Sequence, residues 1–173
     1  MIDDFLNEFR RYRVIGEQAM AQVGEDGLNR VLGPDANSIA MIVRHLSGNF
    51  SSRFTDFLES DGEKPWRHRD AEFEERTYTH GEVNALWESG WEVALREVAA
   101  LTDGQLQETV HIRGTALTVH EALCRSVAHT AYHVGQIVLL ARLLSTEEWR
   151  WISIPKGQSE SYNRNPTLEK HPR

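Results

Sequence analysis

The sequence predicts an all-α protein, a four-helix bundle, from three observations. Four long stretches carry apolar residues at three- and four-residue steps, which is the period of one face of an amphipathic helix. Capping-box signals open two of these stretches, and strand patterning of comparable length is missing from the sequence. The chain has 173 residues and 40% hydrophobic content, which fits one domain with a core of ordinary size. We expect a single domain over residues 1–173, with residues 149–173 as a C-terminal tail packed partly on the bundle.

The first predicted helix covers residues 3–23, where apolar side chains recur at helical spacing. Asp3 or Asp4 is available as its N-cap, because a carboxylate at that position accepts a hydrogen bond from a first-turn amide. Residues 24–34 contain three glycines and a proline, so we expect them to break the helix and return the chain.

The second predicted helix begins near Asn37 and Ser38 and carries an apolar stripe that runs to Leu58. His45 and Asn49 belong to this stripe, so both are expected to face or flank the core. Residues 60–78 then form the longest irregular connection, rich in charge, glycine and proline. A loop of this length in a compact domain is usually a crossover, a lid or a binding loop.

The third and fourth predicted helices each open with a capping box, Thr79 to Glu82 and Thr118 to Glu121. The third runs to about residue 101, and Gly90 on its core face predicts close backbone packing or access. Residues 110–117 alternate around an Arg-Gly pair, which predicts a small hairpin before the fourth helix. The fourth helix is expected to run to about residue 145.

The charge balance limits the partners of the chain. The sequence has 26 acidic and 19 basic residues and a net charge of −7, which argues against a nucleic-acid backbone or an anionic membrane surface as the main partner.

The single cysteine, Cys124, lies among apolar helix residues, which predicts a buried thiol in a reducing compartment. The acidic start resembles no signal peptide, and each apolar run is shorter than a membrane span, so we expect a cytoplasmic protein.

Three histidines form the candidate metal site. His129 and His133 lie about one helical turn apart, so both imidazoles leave the same helix face and can close on one ion. His45, in the apolar stripe of the second helix, can supply a third nitrogen. Burying several imidazoles is costly, so a metal ion or a specific hydrogen-bond network must compensate.

The remaining histidines have settings that do not favour this site. His120 lies about 180° around the helix from His129, so it cannot join the same cluster. The others fall in the charged loop, a helix first turn, the hairpin and the tail: His68, His80, His111 and His171. The fourth helix also lacks the glutamate that follows the first histidine in His-Glu-x-x-His metalloproteases, which disfavours that mechanism.

Polar residues on the same helix faces are candidates for contacts around the histidines. Ser126 and Gln136 share the face of His129, and Asn49 lies one turn after His45. We interpret Asn49 and Gln136 as groups that orient the histidines or face a substrate; simple hydrogen-bonded spacers are the alternative. Tyr132 points about 100° and Cys124 about 140° away from His129. We therefore expect Tyr132 to pack or face a partner, and Cys124 to lie outside the site.

Two histidine-containing segments resemble the DinB/YfiT-like superfamily. They are His129-Thr-Ala-Tyr-His133-Val-Gly-Gln-Ile and Arg44-His45-Leu-Ser-Gly-Asn49. The chain also resembles one uncharacterised bacterial branch of it, through Asn37-Ser-Ile-Ala, Gly48-Asn-Phe-Ser-Ser-Arg-Phe-Thr-Asp-Phe, Asp61-Gly-Glu-Lys-Pro-Trp-Arg and Ser153-Ile-Pro-Lys-Gly-Gln-Ser. The resemblance runs from the first helix to about Asn163. It implies a bundle with one long crossover connection and a divalent metal held by three histidines, which map onto His45, His129 and His133.

The resemblance implies two classes of function. Relatives are regarded as metal-dependent hydrolases or as transferases and isomerases that use low-molecular-weight thiols, so a hydrolase or small-thiol S-transferase is implied here, with a small-molecule substrate or thiol as partner. Zinc or nickel is the favoured ion, although imidazole ligands also suit copper and iron. The alternative is a non-catalytic metal-binding or stress-related structural bundle.

We also expect a homodimer. Three aromatic residues outside the helical stripes, Trp66, Trp149 and Trp151, are available either to seal the site or to line a symmetric dimer contact.

Overall fold

A computed structural model describes residues 1–167 of the chain. Its helices, in chain order, are α1 (Ile2–Met20), α2 (Glu25–Asn29), α3 (Ile39–Phe54), α4 (His80–Ala100), α5 (Val119–Leu144) and α6 (Ser159–Asn163). Two strands, β1 (Thr109–Ile112) and β2 (Thr115–Thr118), pair antiparallel before α5. The four long helices form the predicted all-α bundle, and the longest connection joins α3 to α4.

The four long helices pack in a ring, in which α1 and α3 each contact both α4 and α5. Four aromatic side chains from α1, α3 and α4 meet in the core between them: Phe9, Phe50, Phe54 and Trp91. Gly90 lies where α4 crosses α3, and a Cβ at this position would lie 2.7 Å from the Ser47 Cα. The predicted close packing at Gly90 is confirmed.

Side-chain caps begin three of the long helices where the sequence predicts them. The Thr79 hydroxyl accepts a hydrogen bond from the Glu82 amide at 3.2 Å, and the Glu82 carboxylate accepts one from the Thr79 amide at 2.9 Å. The same reciprocal pair joins Thr118 and Glu121 at the start of α5. Ser38 caps α3, because its hydroxyl accepts a hydrogen bond from the amide three residues later.

The predicted N-cap of α1 is wrong. The helix begins at Ile2, so Asp3 and Asp4 lie within its first turn, and neither side chain accepts a hydrogen bond from an N-terminal amide of the helix. The Asp103 carboxylate, from a 3-10 turn after α4, accepts a hydrogen bond from the Ile2 amide at 2.8 Å instead. A partner from a distant part of the chain therefore replaces the local cap.

Residues 24–34 contain a short helix where the sequence predicts only a break. Leu28 on α2 is fully buried, and this burial stabilises one helical turn among the glycines.

The predicted hairpin is confirmed, with Arg113 and Gly114 at its turn at φ of 55° and 73°. The Asp61 carboxylate, from the α3–α4 connection, accepts hydrogen bonds from the amides of Glu63, Arg113 and Gly114 at 2.7 to 2.8 Å. These backbone donors lower the pKa of Asp61 to about 2. The hairpin and the long connection are thereby joined beside the bundle.

The prediction that the Cys124 thiol is buried is wrong, because this side chain is exposed on α5. Its Sγ lies 3.8 Å from Nε2 of His120, the residue one turn earlier. Helical period alone places Cys124 away from the site, but it does not show that this face of α5 lacks a neighbouring helix.

Part of the C-terminal segment packs on the bundle. Trp149 and Ile152 contact the hydrophobic core, whereas Trp151 is 41% exposed and lies under the guanidinium of Arg142 at 4.4 Å. His171 lies outside the described residues. Within residues 1–167, the helices are too short or too polar to cross a membrane.

Candidate metal centre

The structure brings together the three predicted histidines, His45 from α3 and His129 and His133 from α5. One ring nitrogen of each lies within 4.8 Å of the others, and the Nε2 atoms of His45 and His129 are 3.2 Å apart. His45 and His133 are buried, and His129 is half-buried. The one-turn spacing on α5 and the core-facing position on α3 therefore produce a single cluster.

A carboxylate from the α3–α4 connection fixes the orientation of His45. Nδ1 of His45 lies 2.8 Å from Oε2 of Glu72, and Arg67 donates to the same carboxylate from Nε at 2.8 Å and from Nη2 at 3.0 Å. Since an ionised carboxylate only accepts, the His45 proton sits on Nδ1. The lone pair of Nε2 therefore faces the other two histidines.

The Glu72 carboxylate is buried and ionised. Burial by itself raises the pKa of Glu72, but hydrogen bonds from His45 and Arg67 outweigh burial and hold it below its usual value. Gly48 makes room for this group on α3, because a Cβ at that position would collide with the carboxylate. The close approach of Glu72 to the helix therefore favours glycine here, since a larger residue would displace the carboxylate from His45 and Arg67.

Gln136 fixes the orientation of His133. Nδ1 of His133 lies 2.8 Å from Oε1 of Gln136, one turn further along α5. The amide oxygen accepts a hydrogen bond from Nδ1–H, so the Nε2 lone pair of His133 is also free. The structure thus places Gln136 where the sequence predicts a residue that orients a histidine.

His129 differs from the other two histidines in its hydrogen bonds. Within residues 1–167, its Nδ1 is buried and has no hydrogen-bond partner, and its Nε2 faces Nε2 of His45. Burial and the neighbouring His133 and His45 lower the pKa of His129 to about 3, and burial lowers that of His133 to about 4. Both rings are neutral near pH 7, as metal ligation requires.

The distance between two of the histidine nitrogens agrees with a metal centre. Nitrogens bound to a tetrahedral zinc ion at about 2.0 to 2.1 Å lie roughly 3.3 Å apart. The 3.2 Å between the Nε2 atoms of His45 and His129 matches this separation. His45 and His129 therefore fit a divalent transition metal in spacing, His129 and His133 fit it in protonation, and the three ring nitrogens lie within 4.8 Å of one another.

The cluster opens into a cavity of about 420 Å³. Asn49, Ser126 and Gln136 line it with the three histidines, as expected for polar residues on these helix faces.

Tyr132 also lines the cavity, with its ring 4.9 Å from that of His133, although 63% of the side chain is exposed. Tyr132 remains predicted to pack or to face a partner. A 100° rotation on α5 places it at the cavity rim.

Glu72 and Arg67 are the site residues that the sequence does not reveal. Both lie in the irregular connection, where helical period assigns no buried face. Which residues they contact depends on how the loop folds over α3. The available signal is the length and charge of the connection, which predicts a functional loop without selecting a residue.

Residues 1–158 match the model of a family described as "Protein of unknown function (DUF1572)". The chain belongs to this family. Among solved structures, this DUF1572 chain is similar to a DinB-like protein from Bacillus subtilis, with 19% identity, a TM-score of 0.64, and coverage of 86% of this chain and 96% of that one. The predicted DinB-like fold is confirmed. A search of curated proteins finds no match.

Proposed function

We propose that this DUF1572 chain is a metal-dependent enzyme that binds zinc or nickel through Nε2 of His45, His129 and His133 and acts on a small molecule. One observation carries the proposal: the three nitrogens converge beside an open cavity of about 420 Å³. A structural metal site is closed by protein ligands, whereas a catalytic site keeps room for a substrate.

The ion would act as a Lewis acid that lowers the pKa of a bound water or thiol. The chain supplies the rest. Glu72 and Gln136 hold the rings of His45 and His133 in the protonation state that presents Nε2. Phe73 packs on His45 at 4.9 Å between ring centroids and limits its movement.

We propose S-alkylation of a low-molecular-weight thiol as the reaction: the thiolate sulfur bonds to an electrophilic carbon, the bond from that carbon to its leaving group breaks, and the leaving group departs with the bonding electrons. Among the described residues that line the cavity, none is an aspartate or a glutamate, and Glu72 is already engaged by His45 and Arg67. Hydrolysis of an amide or ester needs a proton acceptor and donor near the reacting atoms. A thiol is a nucleophile once deprotonated, and cationic surroundings favour the thiolate. Thiol transfer therefore needs no carboxylate as general base at the cavity.

The test is a screen of the metal-loaded protein against alkylating electrophiles with several small thiols, and against ester and amide substrates. We expect thiol-dependent consumption of an electrophile that exceeds the rate of the His129→Ala variant at least tenfold. Faster ester or amide cleavage with no thiol dependence would instead favour the hydrolase. Rates equal to those of His129→Ala throughout would support the alternative, a bundle that binds metal without turnover.

We further propose that the chain forms a homodimer through α5. Three large apolar side chains at seven- and four-residue steps on this helix are exposed, Tyr132 at 63%, Leu139 at 59% and Leu143 at 63%. Such a stripe fits a second copy of the same helix. Light scattering should give the dimer mass for the wild type and the monomer mass for Leu139→Glu; equal masses would contradict the proposal.

A further inference from the structure

Five arginines line the cavity beside the three histidines. They come from α3, the α3–α4 connection, the hairpin turn and α5: Arg53, Arg67, Arg69, Arg113 and Arg125. The lining residues within the described chain include no carboxylate to balance them. This concentration of positive charge is notable in a chain whose net charge is −7.

Carboxylates that do not line the cavity neutralise only part of this charge. Glu72 accepts from Arg67, and the Glu63 carboxylate is shared by Arg53 and Arg113 at 3.2 and 3.0 Å. Two carboxylates therefore serve three guanidinium groups. Burial lowers the pKa of Arg53, and repulsion from Arg67 and Arg113 acts in the same direction.

The other two arginines are available to a ligand. Arg69 lies over the Phe73 ring at 5.0 Å, and its nearest carboxylate, on the exposed Asp70, is 3.8 Å away. Arg125 is exposed and has no hydrogen bond or ion pair within residues 1–167. Both can reorient, since neither is held by a buried partner.

Two buried polar atoms at the cavity lack partners in the described chain. Arg67 has a side chain that is only 2% exposed, yet its Nη1 has no hydrogen-bond acceptor. The Ser126 hydroxyl is likewise buried and unpaired. A buried donor without an acceptor carries the free-energy cost of its lost hydration, so a ligand with acceptor oxygens would offset that cost.

We propose that this cavity binds a small molecule through an oxyanion, a carboxylate or a phosphate, held by Arg69 and Arg125 with Nη1 of Arg67 and the Ser126 hydroxyl as further donors. Guanidinium groups match both anions because their fork donates two parallel hydrogen bonds. The proposal rests on the proposed function, since it specifies the substrate of the same site: the thiol or its acceptor carries an acidic group. Neutral analogues are then rejected, because they leave the arginines unpaired.

Calorimetric titration of the purified full-length protein tests this, with succinate, inorganic phosphate and neutral succinamide as probes. We expect saturable binding of succinate or phosphate to the wild type and none of succinamide. Tighter succinate binding would identify a carboxylate site, and tighter phosphate binding a phosphate site.

The decisive comparison is between two sets of variants. Arg69→Gln combined with Arg125→Gln should weaken anion binding at least tenfold. Arg10→Gln, which removes an exposed arginine of α1 outside the cavity, should bind as the wild type does. Equal affinities in the wild type and the double variant would overturn the proposal, as would no saturable anion binding to the wild type.

Metal content separates this proposal from the proposed function. The same titrations are repeated on chelator-treated wild type and on His129→Ala. Anion binding that persists in both and is lost in the arginine double variant supports the inference even if the wild type binds no metal. Metal-loaded wild type that binds neither anion overturns the inference and leaves the metal site standing.

Discussion

The aromatic core and the histidine cluster share helix α3 but are held together by different forces. Phe9, Phe50 and Trp91 are at most 1% exposed, and their ring centroids lie 4.7 to 6.4 Å apart. They need only close packing, since apolar burial is non-directional. The lone polar atom of these three rings, Trp91 Nε1, is buried without a partner in the described chain.

The histidine cluster, by contrast, depends on directed hydrogen bonds. His45 begins a chain of contacts that passes through Glu72 to Arg67, and both of these come from an irregular segment. Each member is buried, so water cannot replace a member that is lost, and the remaining groups are left without a hydrogen-bond partner. The difference between the regions teaches that helix packing supplies stability and brings the three histidines together, whereas the loop over α3 supplies the hydrogen bonds that orient His45.

Loss of a core ring should have the largest effect on stability. Phe9→Ala removes a fully buried side chain from α1, a helix that carries no candidate ligand. We expect the free energy of unfolding to fall by about 3 to 5 kcal/mol, measured by urea denaturation. Metal bound per folded chain should match the wild type, and a proportional loss of metal would show that the two regions are not separable.

Glu72→Gln should affect both stability and metal binding. It leaves the Arg67 charge buried with a weaker partner, so we expect a loss of about 2 to 3 kcal/mol in unfolding free energy. Metal affinity should fall roughly 10- to 100-fold, because His45 loses the carboxylate that orients it.

The matched control for this variant is Glu88→Gln, at the exposed ion pair of Glu88 with Arg13. It should change stability by less than about 1 kcal/mol and leave metal affinity unaltered. If Glu72→Gln behaved like this control in competition with a chelating dye, Glu72 would have no orienting role.

Asp61→Asn should have a smaller effect that depends on pH. The pKa of Asp61 falls to about 2 on folding, so its ionised form stabilises the native state above the unfolded pKa of about 3.9. We expect the variant to be about 1 kcal/mol less stable at pH 7, with the difference shrinking between pH 5 and pH 2. A difference that stays constant or grows in acid, by urea denaturation, would contradict the role of the carboxylate.

The sequence predicts the features that depend on helical period. His129 and His133 are recognisable as a pair from spacing alone, and His45 from its place on an apolar stripe. The capping boxes at Thr79 and Thr118 are local signals, and the structure confirms both. Such features involve residues within one or two turns of one another.

The sequence does not predict contacts that depend on tertiary placement. Glu72 reaches His45 across 27 positions, and Asp103 caps α1 across 101. The exposure of Cys124 is not predicted, because helical period gives the angle of a residue around α5 but not the positions of the elements that pack on the helix. These outcomes depend on how the loops and helices pack together, which is the information that a single sequence lacks.

The most direct test of the account is the metal content of the purified protein, measured by plasma mass spectrometry for the wild type, His133→Ala and His120→Ala. His120 is the control, because it lies on the same helix but packs against Phe5 outside the cluster. We predict about one zinc or nickel ion per chain in the wild type and His120→Ala, and at least tenfold less in His133→Ala. Equal metal content in all three proteins would contradict the three-histidine site.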